Sequence, residues 1–254
     1  MACMLVDFAS ETLKRNVGFV AYLPTDMGKE GPLRSLYLLH GLHGDMTSWL
    51  VNSRVAFYAR EKGICLFLPN GENMFYADSA ITGNRYGTFV SQELVSFTRK
   101  TFPLSMRRED TFIGGLSMGG FGAITNGLRH PETFGGVIGL SSALIKQRVL
   151  SSTNPSSDGK FSRTEYQAMF GLEDIRSFSG SENDYDALAE NVAGNTEKPR
   201  FFLACGTEDA LFPPNEQFRK KLQGLGYDVT WSQGPGAHTW DYWERLILPA
   251  IQWM

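Results

Sequence analysis

The chain has 254 residues and a formal net charge of −3, which suits one domain of ordinary size or two small ones and excludes a basic tracker of nucleic acid. Hydrophobic residues at 42% and aromatics at 13% can fill a sizeable core. The cysteines (Cys3, Cys65 and Cys205) are far apart and odd in number, which argues against a disulfide framework and fits a reducing compartment.

The N-terminus shows no basic region before an apolar stretch, and Asp7 and Glu11 break up the first dozen residues, so no secretory signal is expected. No window approaches eighteen uninterrupted apolar residues, so no conventional membrane helix and no membrane partner are expected. A cytoplasmic protein is the expectation. Residues 12–23 read as one or two strands near an edge, ended by Pro24 and a loop over 26–32. Residues 35–40 form a short buried strand that runs into His40-Gly41-Leu42-His43-Gly44. Residues 49–62 carry helical spacing (Trp49, Val55, Phe57, Tyr58) up to Gly63. A strand over 64–68, a polar loop over 72–87 dotted with aromatics and a helix over 88–101 come after Gly63.

Thr111-Phe112-Ile113-Gly114-Gly115-Leu116-Ser117-Met118-Gly119-Gly120 comes next. An apolar run meeting Gly-x-Ser-x-Gly is the pattern of a nucleophile elbow, a sharp strand-to-helix turn that lifts a serine hydroxyl above a parallel sheet. Side chains two residues before or after such a serine would collide with strand and helix, and glycines hold both places. The Met118 amide opens the helix, where it can donate to a developing oxyanion. The motif alone also fits an ordinary turn or a phosphate-cradling loop, although a Lys-Ser/Thr ending is absent.

Beyond the elbow helix, 136–141 reads as a strand. Residues 142–199, rich in Ser, Asn, Asp and Gly with an amphipathic patch at 166–170, read as an excursion over the sheet rather than a second domain. A strand over 200–205, a helix over 215–225, a strand over 227–232 and a helix over 240–253 complete the chain. The alternation implies an α/β fold with a mostly parallel, doubly wound sheet in a single domain over 1–254, with functional groups at the carboxyl ends of strands.

A serine nucleophile needs a base, and the base needs an orienting carboxylate. In the order Ser, Asp or Glu, His, the histidines after Ser117 are His130 and His238. His130 ends the elbow helix before Pro131, a capping position. His238 sits in a glycine-rich loop after the last strand and is the better base. Asp209 comes just past the carboxyl end of a buried strand, with Glu208 as the neighbour that could substitute. The second oxyanion donor is expected from the loop after the 35–40 strand, at the Leu42 amide. His40 is expected to shape that loop by hydrogen bonding, and His43 to face the mouth of the site. No carboxylate or cysteine cluster joins these histidines, so no metal is expected.

Tyr37-Leu38-Leu39-His40-Gly41-Leu42, Gly115-Leu116-Ser117-Met118-Gly119-Gly120-Phe121-Gly122-Ala123, Gly206-Thr207-Glu208-Asp209 and Pro235-Gly236-Ala237-His238-Thr239-Trp240 together resemble the esterase D family. The chain is most similar to its bacterial tributyrin esterase branch, the short-chain carboxylesterases. Arg108-Glu109-Asp110-Thr111 and His130-Pro131-Glu132-Thr133-Phe134 fit that branch too. The resemblance spans about residue 12 to the C-terminus and is loosest over 142–199. It implies an α/β-hydrolase fold, a small acyl-ester substrate of about two to six acyl carbons, no cofactor and often a homo-oligomer. Other members of the family include S-formylglutathione hydrolases, feruloyl and acetylxylan esterases and secreted acyltransferases. A thioesterase with the same three residues is therefore the leading alternative, and a non-catalytic binding module the remote one.

Overall fold

The computed structural model describes residues 1–26 and 31–254, so most of the predicted 26–32 loop lies outside the described residues. Among the described residues, eight strands form one sheet: β1 (Ala2–Ser10), β2 (Arg15–Leu23), β3 (Arg34–Leu39), β4 (Ile64–Pro69), β5 (Thr111–Leu116), β6 (Gly136–Leu140), β7 (Arg200–Gly206) and β8 (Val229–Gly234). Their spatial order is β1-β2-β4-β3-β5-β6-β7-β8. β1 pairs antiparallel with β2 and β2 antiparallel with β4, while the strands from β4 to β8 run parallel.

β4, β5 and β6 are buried at every position, and their near-continuous apolar sequences reflect a sheet covered on both faces. Phe121 and Ile124 of helix Met118–Arg129 and Phe218 and Leu222 of helix Phe212–Gly224 pack on one face. Val55 and Ala59 of helix Val55–Lys62 and Ile247 and Ile251 of helix Trp240–Trp253 pack on the other. This is the doubly wound arrangement expected.

β1 is an addition to the expected strands. It lies at the sheet edge, and its Met4, Val6 and Phe8 turn toward the core. Its outward positions include Cys3, Leu5 and Ala9, so the apolar/polar alternation that marks a half-buried strand is blurred. The predicted 49–62 helix is two helices, Ser48–Asn52 and Val55–Lys62. Ser53 between them is extended (φ −148°, ψ 166°), and its hydroxyl donates to the Trp49 carbonyl and accepts from the Val55 amide.

The parallel register pairs Leu39 with Gly115, Leu116 with Leu140, Leu140 with Ala204 and Gly206 with Gly234. The carboxyl ends of β3, β5, β6, β7 and β8 thus emerge along one edge. The segment over 142–199 is more ordered than its polar composition implies. It holds helices Lys146–Leu150, Arg163–Phe170 and Tyr185–Val192, and it buries Tyr166, Phe170, Phe178 and Tyr185. Phe170 and Tyr185 reach Phe121 of the elbow helix, with ring centroids 5.7 Å and 6.2 Å away.

Candidate active site

Ser117 stands between β5 and helix Met118–Arg129 with φ 52° and ψ −117°, in a region that side-chain-bearing residues rarely adopt. The turn is held on three sides. The Ser117 amide donates to the Leu140 carbonyl (2.9 Å), and the Ser117 carbonyl accepts from the Phe121 amide (3.0 Å) and the Ala143 amide (2.8 Å). The turn also needs its glycines. A Cβ on Gly115 would lie 2.4 Å from the Gly119 carbonyl carbon, and one on Gly119 would lie 2.4 Å from the Leu39 carbonyl oxygen.

His238, in the loop after β8, places Nε2 2.9 Å from the Ser117 hydroxyl oxygen and Nδ1 2.8 Å from Asp209 Oδ2. The Trp243 ring packs at right angles to the imidazole, with centroids 4.8 Å apart. Asp209 comes just after β7 and is buried, while Glu208 beside it is exposed. Asp209 Oδ1 accepts from the Leu211 amide at 2.8 Å. Burial pushes the Asp209 carboxyl up, but the hydrogen bonds from His238 and the Leu211 amide outweigh it and hold the group below its ordinary value. An ionised carboxylate therefore faces Nδ1, which leaves Nε2 free to accept the serine proton. His130 lies apart from this constellation, with Nδ1 3.2 Å from Glu132.

The loop after β3 lies against the elbow. A Cβ on Gly41 would meet the tip of the Leu116 side chain at 2.7 Å and Ser117 Cβ at 3.4 Å, so the loop lies close over the elbow. His40 fixes the loop from below. Its Nε2 accepts from the Gly71 amide (2.9 Å), so Nδ1 carries the proton and donates to the Gly41 carbonyl (2.7 Å). Burial lowers the His40 pKa, in keeping with a neutral ring. The Tyr76 hydroxyl donates to the His40 carbonyl at 3.1 Å. Leu42 and His43 line the same cavity as Ser117, Asp209 and His238, while Met118 is buried behind the serine. The cavity measures about 900 Å³.

Sequence reasoning misses Asn215. It is buried in helix Phe212–Gly224, accepts from the Ser142 amide (3.1 Å) and donates to the carbonyls of Ser142 and Leu211 (both 2.8 Å). It thereby ties the turn after β6, which holds Ser117 through Ala143, to the turn that carries Asp209. The signal that could have found it is its place on the buried stripe with Phe218 and Leu222, where a polar residue calls for partners. Trp243 and the basic residues of the 142–199 segment are missed as well. No group of three or more His, Cys, Asp or Glu side chains among the described residues is arranged to hold a metal ion.

The Esterase family model, described as "Putative esterase", matches residues 10–254. The chain belongs to this esterase family. It is an α/β-hydrolase-fold hydrolase of carboxylic esters. An acetyl esterase of Caldicellulosiruptor saccharolyticus is 37% identical over 263 residues, covering 100% of this chain and 98% of that protein. A substrate-bound fluorophosphonate-binding serine hydrolase of Staphylococcus aureus superposes with a TM-score of 0.87 at 29% identity, covering 99% of this chain and 97% of the other. An S-formylglutathione hydrolase of the same organism gives a TM-score of 0.85 at 29% identity, with 99% and 98% covered.

Proposed function

We infer that this esterase is a serine carboxylesterase of the short-chain, tributyrin esterase type, working through an acyl-enzyme. The reading is carried by one observation: an unbroken hydrogen-bonded chain from Asp209 through His238 to a serine on a strained elbow. Ser117 attacks the ester carbonyl while His238 Nε2 takes its proton. The negative charge that develops on the carbonyl oxygen meets the amides of Met118 and Leu42. His238 then returns the proton to the departing alcohol, leaving the acyl group on Ser117. Water, deprotonated by the same ring, releases the acid. Asp209 keeps the proton on Nδ1 throughout.

Short acyl chains fit the acetyl esterase relative, which covers the whole chain. The free cysteines, two of them buried, fit a cytoplasmic setting, and among the described residues no helix is long and apolar enough to cross a membrane. Ser117→Ala is expected to lower kcat on a short p-nitrophenyl ester by about 10⁴ to 10⁶. A folded Ser117→Ala variant with ordinary turnover contradicts the mechanism.

The likeness to an S-formylglutathione hydrolase favours a second reading, thioester hydrolysis by the same residues. Comparing kcat/KM for S-formylglutathione and p-nitrophenyl acetate separates the two. The ester reading expects the oxygen ester to be the better substrate.

A further inference from the structure

The charge on the cavity wall is opposite in sign to that of the protein as a whole. The chain carries a net −3, yet the cavity above Ser117 is lined by Arg148 and Lys160. Its one carboxylate among the described residues is Asp209, which is engaged by His238. Both cations come from the 142–199 segment, and that segment is tied to the nucleophile: the Ala143 amide donates to the Ser117 carbonyl at 2.8 Å, and helix Lys146–Leu150, which carries Arg148, begins three residues later.

Neither cation is neutralised by a buried partner. Arg148 Nε stands 3.5 Å from Asp158 in a solvent-exposed pair, and Asp158 does not line the cavity. Exposed pairs of this kind hold their partners weakly. Lys160 is exposed and has no ion pair within 4 Å among the described residues, although the same Asp158 accepts from its backbone amide at 3.1 Å and lies within reach of its charge. By contrast, Lys146 on the same helix as Arg148 is committed, 2.6 Å from the buried Asp184. Phe161 and Tyr166 line the same cavity as the two cations, with ring centroids 5.6 Å apart, and Phe161 stands 6.4 Å from Phe75.

We propose that Arg148 and Lys160 form a subsite for an anionic group, so that the preferred substrates are esters carrying a carboxylate on the part of the molecule that lies along the 142–199 segment. The proposal rests on the reading of Ser117, Asp209 and His238 as the hydrolytic machinery and names a substrate class for it. A carboxylate placed between the two cations adds binding that a neutral ester of equal size lacks. Long side chains with exposed heads can swing to meet it, and Asp158 is the group it displaces from Arg148.

The test compares two matched pairs. 4-Nitrophenyl monosuccinate against 4-nitrophenyl pentanoate places the charge on the acid, and 4-carboxyphenyl butyrate against 4-acetylphenyl butyrate places it on the alcohol. In at least one pair, kcat/KM for the anionic ester is expected to exceed that of its neutral partner by about tenfold at low salt, with the excess shrinking as salt is added. In Arg148→Gln/Lys160→Gln the ratio is expected to fall to near one, and in Arg148→Glu/Lys160→Glu below one. Because each ratio is taken within one preparation, a partly folded variant does not distort it. Ratios near one in the native enzyme for both pairs, or a native preference that survives both double variants, overturn the proposal while leaving ester hydrolysis intact. Absence of turnover on all four esters overturns the hydrolytic reading instead.

Discussion

Gly119 lies so close to Leu39 that a Cβ there would come within 2.4 Å of the Leu39 carbonyl oxygen and 2.6 Å of that of His40. The elbow helix and the loop after β3 are therefore pressed together backbone to backbone. That contact sets where the Leu42 amide stands relative to the serine.

Gly119→Ala forces this contact apart. Backbone is the obstacle, so no side-chain rotation relieves it, and a loss of about 1–3 kcal/mol is expected. In a domain of this size that is a fall in Tm of roughly 2–12 °C. Activity should suffer more than stability, because both proposed oxyanion donors move. Thermal unfolding and ester kinetics on the same sample check it. An alanine variant with native kcat contradicts the positioning role.

His40 predicts an acid-sensitive fold. Its folded pKa lies below the ordinary 6.5 because burial of the ring outweighs the hydrogen bond to the Gly41 carbonyl, which acts the other way. The unfolded chain therefore binds a proton that the folded one refuses. The fold keeps its full stability above pH 6.5 and loses some as pH falls below that value toward the folded pKa. The slope for this one proton is at most about 1.4 kcal/mol per pH unit. Asp209 adds a second window: its stabilisation is present above its ordinary 3.8 and is lost as pH falls through the lower folded value. Tm measured from about pH 7.5 to about pH 5 should decline in the native protein and decline less in His40→Gln. Equal slopes contradict the assignment.

Asn215 ties two turns with three hydrogen bonds of 3.1 Å or less. Asn215→Leu keeps the bulk but strands the Ser142 amide and carbonyl in a buried site, at a cost of roughly 2–4 kcal/mol. Asn215→Asp, of equal shape, keeps the acceptor and loses the donor. The aspartate variant should be intermediate in Tm. A leucine variant as stable as the native protein removes Asn215 from the account.

Asp209 and Glu208 are neighbours with opposite environments, one buried against His238 and the other exposed. Asp209→Asn can hold the wrong imidazole tautomer, and a loss of about 10⁴ in kcat is expected, the size of effect seen when a serine protease loses its triad carboxylate. Glu208→Gln should remain near native. Steady-state kinetics at neutral pH decide, and a crippled Glu208→Gln reverses the assignment of the acid.

Ser117 and Asp209 can be picked out of the sequence because each lies just past a short apolar run, and His238 because it follows the last strand in a glycine-rich loop; parallel strands deliver their carboxyl ends to one edge. His40 is legible as a loop-shaping hydrogen bonder, although its partner Gly71 is not, since nothing local links residues 31 apart in sequence. Asn215 bonds to a residue 73 positions away, and such pairings exist only once helix and sheet have packed. The 142–199 segment misleads for another reason. Only Tyr166 and Phe170 keep a helical spacing, the patch read at 166–170; Phe161, Phe178 and Tyr185 stand outside that period, so most of the core they build is not announced. Arg148 and Lys160 look like ordinary surface charges until the chain turns them onto the cavity wall.

All of this chemistry depends on Ser117 being the nucleophile. Its most direct test is to treat the protein with a fluorophosphonate, measure the intact mass, and map the modified peptide. One adduct per chain is expected, located on Ser117 and absent from Ser117→Ala, with labelling strongly slowed in Asp209→Asn. An unmodified native protein, or an adduct on any other residue, contradicts it.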